Sequence, residues 1–102
     1  MKTTEEIHFN IYLMSLRFIT YKVTENLRKL GIDIDDKEKK VILTAYYNEK
    51  PSDLESELLN DIETNIEAHL PHHFVISQAK FGLDDLKNVK HKFILFSFYE
   101  EY

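Results

Sequence analysis

Pro51 and Pro71 are the only prolines in the chain, and the segment between them carries its clearest helical pattern. Proline suits a helix entry and cannot continue a helix, so the pair sets both boundaries. Just inside the first, Ser52-Asp53-Leu54-Glu55 has the spacing of a capping box. The Ser52 hydroxyl would accept from the Glu55 amide, while the Glu55 carboxylate reaches back to the Ser52 amide. Leu54, Leu58, Leu59, Ile62, Ile66 and Leu70 then recur at helical spacing and form the stripe expected to be buried.

The rest of that helix is acidic. Asp53, Glu55, Glu57, Asp61, Glu63 and Glu67 meet no Lys or Arg between residues 51 and 70, a net charge of −6 against −5 for the whole chain. Such a face raises the local negative potential, speeds encounter with basic proteins and repels phosphate backbones. It favours a basic protein partner and argues against nucleic acid. A solvated helix face is the plain alternative.

Elements on either side of this helix follow from periodicity. Over residues 5–30, Phe9, Tyr12, Leu16, Ile19, Val23, Leu27 and Leu30 step by three or four, predicting a first helix capped by Thr4 and closed at Gly31. Residues 31–35 alternate as a short strand does, residues 36–39 make a polar turn, and residues 40–48 have strong strand preference, so a hairpin is expected. After Pro71, residues 73–79 and 90–99 predict two more strands, joined through residues 81–86 with room for a helical turn. The order is α-β-β-α-β-β. No linker, repeat or low-complexity tract divides residues 1–102, which predicts a single α+β domain. Its expected form is a two-layer sandwich, a four-stranded antiparallel sheet with two helices on one face. A chain of 102 residues should bury roughly 65% of its unfolded surface, enough for one core.

The strands at residues 40–48 and 92–99 are apolar on both sides, as central strands are. The face away from the helices is therefore expected to carry exposed aromatics, Phe96 and Phe98 among them, as a partner surface or homodimer seam.

The chemistry available is limited. There is no cysteine, so disulfides, thiolate metal sites and thiol nucleophiles are excluded. The two glycines, Gly31 and Gly82, are too far apart for a nucleophile elbow or a phosphate loop. The acids stand at helix-surface spacing, not as an acid/base pair in one pocket. His69, His72 and His73 have metal-ligand chemistry, but Pro71 and the start of a strand aim them apart, and a polar helix exit explains them as well. Lys37, Lys39 and Lys40 alternate with acids in a mixed-charge turn. The expectation is a non-enzyme without cofactor or metal. The paired acids Glu5-Glu6 break a signal-peptide pattern and no run is long enough to span a bilayer, so cytoplasmic residence without a membrane partner is expected.

Several segments resemble a known family. These are Asn26-Leu27-Arg28, the strand at residues 31–35, the strand end Tyr46-Tyr47, the acidic helix opening at residues 52–57, Ile62-Glu63-Thr64, and Ala68 before Pro71. Over residues 23–74 the chain is similar to small acidic immunity proteins of bacterial polymorphic toxin and contact-dependent growth inhibition systems. The resemblance implies a cytoplasmic antitoxin that binds one cognate toxin domain, often a nuclease, and blocks its active site or substrate entrance. The charge pattern points to the same kind of partner. Asp53, Glu57, Asp61 and Glu67 are the expected electrostatic contacts, with Tyr46, Tyr47 and Tyr99 as aromatic anchors. A non-catalytic adaptor or regulatory subunit for another basic protein would share these features.

Overall fold

The computed structural model describes residues 3–98. In chain order it consists of α1 (Thr4–Arg17), β1 (Leu27–Asp35), β2 (Lys40–Tyr47), α2 (Asp53–Ala68), β3 (Phe74–Phe81) and β4 (Phe93–Ser97), with a short 3-10 turn at Leu86–Asn88. The expected α-β-β-α-β-β order and the β1–β2 hairpin are both present. No helix among the described residues is long and apolar enough to cross a membrane.

The sheet is mixed, not antiparallel, with strand order β3-β2-β1-β4. β1 pairs antiparallel with both β2 and β4, whereas β2 and β3 run parallel from Lys40↔Phe74 to Tyr47↔Phe81. The reason lies in the connection. α2 carries the chain back to the end of the sheet where β2 began, so β3 enters beside β2 in the same direction. The hairpin puts β1 and β2 in the centre and leaves β4 on an edge, where a central place was expected.

The first helix is shorter than its periodicity predicts. It is capped by Thr3, whose hydroxyl accepts from the Glu6 amide, and it ends at Phe18, after which Tyr21 takes a positive φ of 64°. Ile19, Thr20, Val23 and Thr24 are β-branched and lose side-chain freedom in a helix. Once they become strand, Leu27 gains a ladder partner in β2 and Leu30 one on each side. Tertiary pairing overrides the local pattern. The inward face of α1 is His8, Ile11 and Ser15, while Phe9 is exposed; apolar residues at 7, 9, 11, 12, 13 and 14 fit more than one helical phase.

One core fills the space between helices and sheet. Ile11 of α1 and Leu59, Ile62 and Ile66 of α2 meet Leu30 and Ile32 of β1, alternate residues Val41, Leu43, Ala45 and Tyr47 of β2, Val75 of β3 and Leu95 of β4. Both helices therefore cover the same face. In the α2 stripe Leu54 is 60% exposed and Glu55 is buried instead, while Leu58 and Leu70 are half-buried.

Residues of the opposite face include Lys29, Gly31 and Asp33 of β1, paired with Tyr46, Thr44 and Ile42 of β2. The β3–β4 connection crosses this face. The Lys29 ammonium donates to the carbonyls of Leu86 and Val89 at 2.8 and 3.2 Å, and the His91 side chain packs directly over Gly31. A Cβ at Gly31 would stand 2.4 Å from the imidazole, so only glycine admits the ring there. Phe96 packs against the core, and Phe98 is exposed with the Arg28 guanidinium 4.8 Å above its ring.

Candidate functional site

The six acids of α2 have three different environments. Glu55 completes the capping box, its carboxylate accepting from the Ser52 amide at 3.0 Å while its own amide donates to the Ser52 hydroxyl at 3.1 Å. The same carboxylate accepts from the Asn26 amide group at 3.1 Å and from the Thr24 hydroxyl. Burial works to raise the Glu55 pKa, but the hydrogen bonds from Thr24, Ser52 and Asn26 outweigh it and hold the carboxyl below its ordinary range. Glu55 thus ties the start of α2 to the chain entering β1.

Glu63 and Glu67 turn toward β3. Glu63 Oε1 accepts from both the amide and the hydroxyl of Ser77 at 2.8 Å, and Glu67 Oε2 accepts from the Val75 amide at 3.4 Å. Phe74 and Gly82 donate their amides into β2, to Lys39 and Tyr47 carbonyls, so the amides of Val75, Ser77, Ala79 and Phe81 point the other way, to the open edge of the sheet. The two carboxylates cap the first two of these.

The remaining acids point outward. Asp53, Glu57 and Asp61 are exposed, as is the bulk of Glu67. At 3.6 residues per turn these four fall within an arc of about 120°, opposite the buried positions Glu55, Leu59, Ile62 and Ile66. Lys22 approaches Asp61 at 3.8 Å on one flank. The arc is a convex anionic surface.

The tyrosines lie elsewhere. Tyr46 and Tyr47 are only 4% and 5% exposed, Tyr46 toward the face crossed by the β3–β4 connection and Tyr47 in the core. Burial raises the Tyr47 pKa to about 12, with the Glu55 charge adding to the effect. An anchor must stand out from the surface that presents it, and these two side chains do not. Tyr99 lies outside the described residues.

A second polar cluster went unread in the sequence. His91 Nδ1 lies 2.6 Å from Asp33 Oδ2, and its Nε2 lies 2.7 Å from the Tyr46 hydroxyl. Since the carboxylate can only accept, Nδ1 carries a proton, and in the neutral imidazole Nε2 then accepts from the phenol. Burial, with the Asp33 charge, raises the Tyr46 pKa and keeps that proton on oxygen. The order carboxylate, imidazole, hydroxyl is that of a nucleophile relay, but the terminal phenol is enclosed, so the chain pins residues 82–92 to the sheet. Gly31 held the signal. A lone glycine inside a strand marks close approach from another segment, whereas the helical reading of residues 5–30 made it a cap.

The histidines near Pro71 diverge. His69 Nδ1 meets the Asn65 carbonyl at 2.9 Å and its ring packs on Phe18, while His73 lines a cavity of about 230 Å³ with Ile7, Ile11, Met14 and Leu70. Burial and the nearby Lys39 charge lower the His73 pKa. Nearby, His8 Nε2 on the inward side of α1 reaches both Asp36 carboxylate oxygens at 2.9 Å. Among the described residues no three His, Asp or Glu side chains converge as a metal site would require.

Comparison with known proteins bears on what such a surface serves. A family model described as MafI2 immunity protein matches residues 9–96. No curated protein matches the chain.

Proposed function

The chain belongs to the MafI2 immunity protein family, and from that premise we propose that it neutralises a basic nuclease toxin domain through the outward carboxylates of α2. A nuclease must hold a polyanion, so the groove it offers is lined with cations. An immunity protein that fills such a groove needs fixed negative charge on a protruding surface. The observation that carries the reading is the arc of Asp53, Glu57, Asp61 and Glu67, set opposite the buried side of a helix with no Lys or Arg in residues 51–70. The helix is anchored at its start by the capping box and along its length by the core, so the charges are held in place before the partner arrives. Matched charge of this kind accelerates encounter and discriminates against wrong partners. The encounter takes place in the cytoplasm, where the toxin acts.

The test is binding of the cognate toxin domain by the wild type and by the triple variant Asp53→Lys, Glu57→Lys, Asp61→Lys at low and moderate salt. Affinity should fall by roughly 100-fold or more in the variant, with a flatter salt dependence. The three side chains are exposed, and reversing them should cost the fold only about 1 kcal/mol, mostly from Asp53 at the helix N-terminus. Unchanged affinity and unchanged protection of cells would remove α2 from the interface.

A further inference from the structure

We propose that the open edge of β3, from Ser77 to Phe81, is a strand-addition site for an extended segment of the toxin that carries basic side chains at alternate positions. This rests on the immunity reading and specifies a second contact beside the acidic arc.

Three observations carry it. First, the edge is half closed. Glu67 and Glu63 occupy the outward amides of Val75 and Ser77, while those of Ala79 and Phe81 have no partner among the described residues. The closure stops for a geometric reason. Four residues of helix advance about 6.0 Å and two residues of strand about 6.6 Å, so α2 and β3 keep step for the rungs Glu67–Val75 and Glu63–Ser77. The next rung brings Leu59, committed to the core, and Asn60, and neither bonds to Ala79.

Second, the open half is exposed on the side away from β2. Gln78, Ala79, Lys80 and Phe81 are each exposed, Phe81 by 53%, and the strand is already held in register with β2 along eight pairs. Proteins usually guard such an edge with charge, a bulge or a covering segment. Here the carboxylate caps cover only the first half, and Lys80 is the one charge on the second.

Third, the charges select the occupant. A strand added beside Ser77 to Phe81 would start level with Glu63 and run along the N-terminal half of α2, where Asp53 and Glu57 are the nearest acids of the outward arc, while Lys80 lies on the other face of the sheet. Basic side chains on the helix side of the added strand meet those carboxylates. A second copy of this chain would instead bring two α2 helices together, each bearing −6 over residues 51–70, and is disfavoured by repulsion.

Ala79→Pro tests this directly. It removes the outward amide and places a ring on the open edge, while the inward amides of residues 78 and 80, which pair with β2, are untouched. Binding to the cognate toxin domain should weaken by about 100-fold relative to wild type, with Ala79→Ser, which keeps the amide, binding as wild type does. Hydrogen exchange at the Ala79 and Phe81 amides of the unmodified chain gives a readout independent of any variant's folding, and both should slow when the toxin domain is added. Unchanged exchange, or unchanged affinity in a folded Ala79→Pro variant, overturns the proposal and leaves the immunity assignment standing. So does loss of a homodimer in that variant with toxin affinity intact, which would give the edge to a second copy. A wild type that fails to bind the toxin domain at all overturns the immunity reading, and this proposal with it.

Discussion

Glu63 and Ser77 are joined twice through one oxygen, since Glu63 Oε1 accepts both the backbone amide and the hydroxyl of Ser77 at 2.8 Å. The pair sits where α2 meets the edge strand, half-buried, and converts an acidic residue of the helix into a cap for the sheet. Glu63→Ala should lower stability by about 1–3 kcal/mol by leaving that amide without a partner. It should also raise self-association at high concentration, because one more rung of the edge is open. Denaturant titration and sedimentation velocity would check the two effects, and Glu63→Gln, whose carbonyl can still accept, should be milder in both.

Gly31 and His91 should behave as a coupled pair. Gly31→Ala pushes a methyl group to 2.4 Å from the imidazole and should cost about 1–3 kcal/mol as the β3–β4 connection is displaced. In a His91→Ala background most of that clash is gone, so the second cost should be clearly smaller. A double-mutant cycle by thermal or chemical unfolding measures the coupling, and simple additivity would contradict the packing described.

Tyr46→Phe removes only the hydroxyl that His91 accepts from, at 2.7 Å. The loss should be about 1 kcal/mol of stability. Because the ring is 4% exposed, toxin affinity should stay within about twofold of wild type. A large loss of affinity in a normally stable variant would place the phenol in the interface.

Glu55 predicts an acid-side dependence. Its carboxyl titrates below the ordinary 4.5 in the folded chain, so its contribution is fully present above that value and is lost as the pH falls through the folded pKa. Wild type should exceed Glu55→Gln in unfolding midpoint at pH 7, and the gap should shrink as the pH drops below 4.5. A gap that widened in acid would reverse the sign argued here.

What the sequence made legible were the features set by neighbours in the chain. The capping box at Ser52 and Glu55, the polar turn before Lys40 and the alternation in β2 are local, and the structure has them. Sequence distance hid the rest. Leu27 and Leu30 fit a helical stripe until β2 and β4 are available as partners, and nothing near residues 73–81 announces that β3 runs parallel to β2. The acid arc could be read from composition, but not its division into an N-terminal tie at Glu55, two edge caps and an outward face. That division depends on Thr24, Asn26, Val75 and Ser77, which lie on other elements.

The position of β4 has a consequence for how the chain reaches its folded state. β1 and β2 are joined by a short turn and can zip together early, whereas Ile32 must wait for Phe93 before its second ladder closes. Contacts across such separations form slowly, after the local ones. Until that second ladder closes, β1 has one side unpaired, so a chain in which only the hairpin has formed presents the sheet's central strand as an open edge, the condition in which mispairing is easiest.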